Sequence, residues 1–433
     1  MISLTPLEII TYFEVAGVVL VLLLWHFRCY KAIRYVLAAL CAASALLCIY
    51  ATSVDVSFAV LLVGFLCASA CLVMAEPDAK LGHVAPLVTS LIAVLGYAII
   101  IAKDLITLLC VWLCVSVLTA VLILRFGNIS SLEAGAKYIV FSALGASLLI
   151  VGIVLCLTQI GTSYTMLGTV LIVLGIAYEL GLVPVHVWLP DVYLLADKIS
   201  VSILASAVKI LAAIALLKFL MIATPSTIAR LAMLFAILAA VSMTLGNVAA
   251  LLAEKREHIL AFSTIAQTGY AFIALACMSK APISMCLAVF LYQIIASAIA
   301  KYLLFLAIPT RYEVYTRTSV LIGALSLIGI PPTLGFWPKL FLFLLALYSG
   351  QLWLAILLII NTAISVPYYI RLYRMYSTNP SPHICSRLIS GIVITCALML
   401  IILGVAYPTG ILKMLGTMLL KYSIIKTYHI LNK

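Results

Sequence analysis

Charged residues are scarce in this sequence of 433 residues: they make up only 9% of it, whereas 67% of the residues are hydrophobic and the mean hydropathy is +1.32. Soluble globular domains contain about 25% charged residues, because a polar surface has to cover the core. A soluble fold is therefore excluded, and so is a disordered chain, since disorder requires low hydrophobicity and high charge. The composition indicates a polytopic membrane protein.

The sequence also lacks a cluster of basic residues. Its 25 Lys and Arg give a net charge of +12, but they are scattered singly between apolar runs. A nucleic-acid partner would need clustered cations along the phosphate backbone, so we expect no nucleic acid. There is no GxGxxG motif, no cysteine cluster with metal-ligand spacing and no haem-type histidine pair. We therefore expect no cofactor and no metal in this chain, and we interpret the 12 cysteines mainly as packing residues.

Apolar runs of about 20 residues, the length that crosses the hydrocarbon of a bilayer, predict fourteen membrane spans. The spans are expected to start near Glu8, Val36, Val56, Val84, Leu105, Ala134, Met166, Ile199, Ile228, Ile259, Ile283, Ser319, Leu352 and Leu388. Glu8 and Glu14 interrupt the first run, which we expect to remain as a span and not to be cleaved as a signal peptide. No sustained strand alternation is present, so the predicted fold class is an all-α polytopic bundle.

Most of the 25 basic residues fall in loops on one side of these spans, which predicts that this side is cytoplasmic. The expected location is the cell (cytoplasmic) membrane, with both termini on the non-cytoplasmic side. The tail from Thr409 has the composition of an interfacial amphipathic helix, or of a segment that lies against a neighbouring subunit.

Two spans are interrupted in matching ways. The seventh contains GIAYELGLVPVHVWLP (175–190) and the twelfth contains LIGIPPTLGFWPK (327–339), with prolines that break the helical hydrogen-bond ladder. Because the two spans are five apart, they cross in opposite directions, as an inverted pair of five-helix repeats requires. We predict an N-terminal three-helix segment (1–80), a first repeat with spans 4–8 (81–222), a second repeat with spans 9–13 (223–376), and a last helix with the tail (377–433).

Three lysines fall inside spans, where a charge costs at least about 3 kcal/mol on insertion scales. They are Lys209, Lys301 and Lys339, and Glu179 and His186 lie in the interrupted seventh span. We predict that these five residues relay protons. Alternatives remain open: the lysines reach towards an interface, Glu179 forms a static ion pair with Lys209, or His186 satisfies the loop beside Pro184.

The seventh span and its neighbours carry a specific resemblance. AYELGLVPVHVWLPDVY (177–193), SLEAGAKYIVFSALGAS (131–147), GNVAALLAEKREHILAFSTIAQTGY (246–270) and LIGIPPTLGFWPKLFLF (327–343) occur in collinear order. They resemble the antiporter-like, proton-translocating membrane subunits of respiratory complex I, and the PDVY ending is similar to subunit N of NADH–quinone oxidoreductase. The resemblance implies a fourteen-helix fold with two inverted repeats and a central axis of ionisable residues, among which Lys209 and Lys339 match the lysines of spans eight and twelve.

The sequence departs from this family at three positions. Glu179 stands where the seventh-span lysine is expected, Leu113 where the fifth span usually has a glutamate, and Gln267 where many members have a tenth-span histidine. One interpretation is charge compensation, with a Glu179–Lys209 couple that still relays protons. The other is that this half of the subunit is inactive and transmits only conformational or electrostatic change.

The resemblance implies a membrane subunit of a complex I-like donor–quinone oxidoreductase, with the quinone, flavin and iron–sulfur clusters of that assembly held by other subunits. Expected partners are the neighbouring membrane subunits and the lipid bilayer. The sequence assigns no reaction to the isolated chain. Alternatives are a subunit of a membrane-bound hydrogenase or of a multisubunit cation/proton antiporter, a stand-alone transporter, and a structural scaffold.

Overall fold

The computed structural model describes residues 35–39, 41, 43, 57–74, 84–102, 104–124, 129–158, 162–220, 225–307, 314–378 and 387–406. Regular structure within these ranges is entirely helical, so the predicted all-α polytopic fold is confirmed. The first predicted span, with Glu8 and Glu14, and the tail from Thr409 lie outside the described residues, as do both termini. The total of fourteen spans, the inverted repeats and the domain boundaries stay predictions.

The helices are numbered here in chain order from the third predicted span. They are α1 (Ser57–Met74), α2 (Val84–Ile101), α3 (Leu105–Ile123), α4 (Ile129–Leu157), α5 (Thr162–Leu180), α6 (Trp188–Leu195), α7 (Lys198–Leu220), α8 (Pro225–Leu252), α9 (Arg256–Ala276), α10 (Ile283–Ala307), α11 (Val314–Ile328), α12 (Phe336–Tyr348), α13 (Leu352–Thr378) and α14 (Arg387–Ala406). The interrupted seventh span comprises α5 and α6, and the interrupted twelfth comprises α11 and α12.

The helices differ in how much of their surface is enclosed by protein. Helices α7 and α9 are buried almost throughout, whereas α4 turns apolar side chains such as Ile139, Leu144 and Val151 outward. Apolar side chains suit a lipid-facing surface, and polar groups in hydrocarbon need protein partners. The enclosed helices are therefore where ionisable side chains can be kept away from lipid.

Helices α4 and α5 approach closely because glycines face each other at two levels. A Cβ atom added at Gly152 would lie 2.7 Å from the carbonyl oxygen of Gly168, and one added at Gly175 would lie 2.8 Å from that of Gly145. Such close backbone approach is the usual role of small residues between membrane helices. It brings the C-terminal end of α5, where Glu179 lies, against α4.

Candidate functional site

Both interrupted spans break in the same way. Residues 181–187 separate α5 from α6, and residues 329–335 separate α11 from α12. Each of these segments begins with a glycine in the left-handed region, Gly181 with φ 73° and Gly329 with φ 89°. Only glycine adopts this conformation without steric cost, so the two glycines end the helices.

The backbone hydrogen bonds around each glycine are also alike. Leu182 N donates to Ala177 O at 3.0 Å, and Ile330 N donates to Leu325 O at 3.1 Å, which is the closure of a Schellman motif. In this motif the last two carbonyl groups of the helix receive no backbone donor. Because unsatisfied carbonyl groups are costly inside a membrane, each break needs donors from elsewhere.

Lys209 supplies the donors at the first break. Its Nζ lies 2.7 Å from the carbonyl oxygen of Leu180 and 3.4 Å from that of Glu179, the last two residues of α5. A π-helical turn over Leu204–Val208 immediately precedes Lys209 in α7, and such turns change the direction in which side chains leave a helix. Lys209 is only 4% exposed, so the structure directs its amine into the protein and not towards an interface.

Lys339 supplies the donors at the second break. Its Nζ lies 2.8 Å from the carbonyl oxygens of both Leu327 and Ile328, the last two residues of α11. The same nitrogen lies 4.8 Å from the ring centroid of Tyr270, a cation–π distance. Lys339 comes from the second half of its own interrupted span, whereas Lys209 comes from the span after the first break. The two lysines nevertheless bond to equivalent carbonyl groups.

The side chain of Glu179 turns away from Lys209. Both of its carboxylate oxygens lie within reach of the Tyr138 hydroxyl group, at 3.0 and 2.9 Å, so this phenol donates to them. Among the described residues, no carboxylate oxygen comes within 4.0 Å of Lys209 Nζ. The direct ion pair that the sequence left open is thus not formed. Tyr138, on α4, is a site residue that sequence analysis missed, because a tyrosine in an apolar helix is usually a packing residue.

Lys301 occupies a different part of the interior. Its Nζ donates to Leu260 O at 2.7 Å and to the hydroxyl group of Ser263, both on α9. Lys301 is 1% exposed, so it does not reach the surface. Its two partners precede Thr268, which contacts the first break, by about one to two turns of α9.

His186 is not placed as a helical partner of Glu179. The helix of Glu179, α5, ends before Gly181, so the two residues do not lie on one helix. His186 lies in the segment between α5 and α6, half-buried, and its Nδ1 has no hydrogen-bond partner.

A buried polar cluster extends from Tyr270 beyond the second break. Asn247 Nδ2 lies 2.9 Å from the hydroxyl group of Tyr270 and 3.1 Å from Oδ1 of Asn361, and Tyr368 donates to Asn247 Oδ1 at 2.9 Å. These residues lie on α8, α9 and α13. Sequence analysis missed them, although isolated Asn residues within apolar runs were the available signal.

Two carboxylates near helix ends have ordinary structural roles. Asp104 is exposed and caps α3 by accepting a hydrogen bond from Thr107 N at 2.7 Å. Hydrogen bonds from the side chain and then the backbone of Thr107 lower the pKa of this carboxyl group. Asp191 forms a half-exposed ion pair with Lys137 at 2.7 Å, joining α6 to α4. Within the described part of the chain, no group of three or more His, Cys, Asp or Glu residues is arranged to hold a metal ion.

Several known proteins are similar to this chain in sequence. NADH-quinone oxidoreductase subunit N from Geotalea uraniireducens is 32% identical over 67% of this chain and 68% of its own length. Subunit N 2 of the same enzyme from Solidesulfovibrio magneticus is 33% identical over 61% of this chain, and F(420)H(2) dehydrogenase subunit N from Methanosarcina mazei is 30% identical over 64%. The matched segments span 62% and 65% of the lengths of these last two relatives.

Solved structures share the fold. A chain of respiratory complex I from Thermus thermophilus superposes with a TM-score of 0.79 at 22% identity, covering 94% of this chain and 98% of that one. A chain of the Mrp complex from Dietzia sp. superposes with a TM-score of 0.80 at 17% identity, covering 97% of each chain. Residues 102–365 match the family model described as NADH:quinone oxidoreductase/Mrp antiporter, TM. The chain therefore belongs to this family of antiporter-like membrane subunits.

Proposed function

We propose that this chain is a proton-translocating, antiporter-like membrane subunit of a complex I-like donor–quinone oxidoreductase. One observation carries the proposal: two buried lysines each bond to the last two carbonyl groups of a helix that is broken inside the membrane. Subunit N relatives and the complex I fold neighbour support the assignment to a quinone-linked assembly.

The two carbonyl groups at each break suit a lysine that gains and loses a proton. A neutral amine has two N–H groups, which saturate both carbonyl groups, and its lone pair remains free to accept a proton. A protonated amine has a third N–H group, which is left over for a further acceptor. The helix C-terminus favours the positive charge, whereas burial opposes it. The break therefore stays satisfied in either protonation state, so a proton can be exchanged without disrupting the backbone.

The other predicted residues extend this relay. Glu179 is held by Tyr138 within electrostatic range of Lys209, and a carboxylate there changes the energy of the lysine charge. Lys301 and Ser263 form a hydrogen-bonded pair at the N-terminal half of α9, which begins at Arg256. His186 has an unpartnered Nδ1 in the first break, which a transferred proton could occupy.

We place the redox chemistry in partner subunits. Quinone, flavin and iron–sulfur clusters would belong to those partners, and this chain would contribute only proton movement driven by them. The proposed location is the cytoplasmic membrane, with both termini on its non-cytoplasmic side.

The proposal is tested by comparing Lys339→Arg with Lys339→Met in the reconstituted complex. Arginine retains N–H donors for Leu327 and Ile328 but does not release its proton, whereas methionine supplies no donor. We expect both variants to reduce the number of protons pumped per electron pair, and we expect arginine to preserve assembly better. The matched control is Lys255→Ala, at an exposed lysine before α9. Parental proton pumping in both Lys339 variants, with normal assembly, would exclude the proposal.

A second candidate function is a subunit of a multisubunit cation/proton antiporter or of a membrane-bound hydrogenase-type complex. The fold match to the Mrp complex and the carboxylate at Glu179 favour it, since carboxylates bind cations. Purification of the native complex distinguishes the two: co-purifying quinone-oxidoreductase subunits support the first candidate, whereas hydrogenase or antiporter subunits support the second. Sodium dependence of transport that is abolished in Glu179→Gln would favour the antiporter.

A further inference from the structure

Two consecutive residues of α9 contact both broken helices. Thr268 Oγ1 lies 3.0 Å from Leu180 O and 3.0 Å from Thr264 O of its own helix, so its one hydroxyl hydrogen is shared between these acceptors. Gln267 Nε2 donates to Leu327 O at 2.8 Å. These two carbonyl oxygens are the acceptors that Lys209 and Lys339 also use. A single peptide unit thus joins the two lysine sites.

The orientation of the Gln267 amide is fixed from three sides. A backbone carbonyl group only accepts, so the amide nitrogen must face Leu327. Gln293 Nε2 donates to Gln267 Oε1 at 2.7 Å, and the hydroxyl group of Tyr369 lies 3.2 Å from Gln267 Nε2. Gln267 is 2% exposed, so water does not compete for these bonds.

Helix α9 is also held in position against α8. A Cβ atom added at Gly269 would lie 2.5 Å from Met243 N, and one added at Gly246 would lie 2.6 Å from Ala266 N. Backbones that approach this closely do not slide past each other without steric clash. Thr268 and Gln267 therefore keep a fixed spacing on α9, and any shift of this helix moves both side chains together.

We infer that Gln267 and Thr268 are positioning residues that couple the two lysine sites through hydrogen-bond geometry. Neither side chain carries a titratable group, so at this point coupling is transmitted by displacement of Leu180 and Leu327, and no charged intermediate forms on the link. This inference rests on the proposed function, because it assigns a role to the link between two proton-exchanging lysines.

The first test removes one hydroxyl group. Thr268→Val deletes the bond to Leu180 at nearly constant volume, and Thr268→Ser restores the hydroxyl group. A neutral hydrogen bond shifts an equilibrium by roughly 2- to 10-fold, so we expect proton pumping per electron pair to fall about twofold or more in the valine variant and to recover in the serine variant. Thr169→Val is the control, since that buried threonine bonds to its own helix at Thr165 O. Parental pumping in Thr268→Val, or failure of serine to restore it, would overturn the inference.

The second test asks whether the two residues act together. Gln267→Leu removes the bond to Leu327, and the double variant with Thr268→Val should pump no worse than the weaker single variant, because either change already breaks the link. Losses that multiply would show two independent roles and would overturn the inference. If Thr268→Val does not assemble, Thr268→Ala replaces it with the same expectations.

The outcomes separate this inference from the proposed function. Reduced pumping in Lys339→Arg with parental pumping in Thr268→Val and Gln267→Leu refutes only the coupling. Parental pumping in all of these variants refutes the proposed function as well.

Discussion

The close contact of α4 with α5 makes a quantitative prediction about Gly175. An added methyl group in Gly175→Ala would lie 2.8 Å from Gly145 O and 2.7 Å from Leu149 Cγ, so the helices must separate. Overpacking of this kind costs about 1–3 kcal/mol. Replacing glycine by alanine in a helix interior also stabilises the helix by up to about 1 kcal/mol, because alanine has the higher helix propensity. This gain offsets part of the steric cost.

A matched variant removes the propensity contribution. Gly391 lies in α14, and no atom comes within 4 Å of a Cβ added there. Both substitutions change helix propensity by a similar amount, so the difference between Gly175→Ala and Gly391→Ala isolates the steric cost. We expect Gly175→Ala to have a free energy of unfolding lower by about 1–3 kcal/mol than Gly391→Ala.

Unfolding in mixed micelles, followed by circular dichroism over a titration with dodecyl sulfate, measures this difference. Gly175 lies one helical turn before Glu179, so separation of the helices also lengthens the hydrogen bonds between Glu179 and Tyr138. Proton pumping should therefore decrease in Gly175→Ala and not in Gly391→Ala. Equal stability of the two variants would refute the argument that glycine contacts bring α4 and α5 together.

Three further predictions concern groups outside the lysine sites. Asp104→Ala should cost about 1 kcal/mol by removing the cap of α3; because the pKa of Asp104 is lowered in the fold, its contribution is present at neutral pH and is lost as pH falls through that pKa, which denaturation at pH 7 and at about pH 3 measures. Arg371→Met should destabilise the protein by about 1–3 kcal/mol, since Arg371 Nη2 donates to three carbonyl groups at the end of α8, and Arg371→Lys should lose less; a larger loss in the lysine variant would contradict this. Lys137→Ala should cost less stability than Arg371→Met, because the ion pairs of Lys137 with Glu133 and Asp191 are partly exposed and screened by solvent; an equal loss in the same unfolding assay would contradict this.

The sequence by itself determined the membrane class and the position of both helix breaks. Long apolar runs require helices because lipid satisfies no backbone group, and the clustered prolines around Pro184 and Pro332 interrupt two of them. It also singled out Lys209, Lys301 and Lys339 as costly charges within spans but left open whether they reach towards an interface; the structure shows that all three are buried. The motifs around Pro184 and Pro332 resemble those of the family to which the chain belongs.

Only the tertiary structure decided what the ionisable side chains contact. The sequence left open a direct ion pair between Glu179 and Lys209, but the fold places the Tyr138 hydroxyl group, 41 residues away along the chain, on the carboxylate. Lys209 bonds instead to carbonyl groups, which every residue carries and which no sequence pattern marks. In the sequence, Gln267 is notable only because many members of the family have a histidine at this position. Its contact with Leu327 depends on how α9 packs between the two breaks. Hydrogen bonds between distant helices depend on packing angle and side-chain rotamer, and neither is encoded in the local pattern of residues.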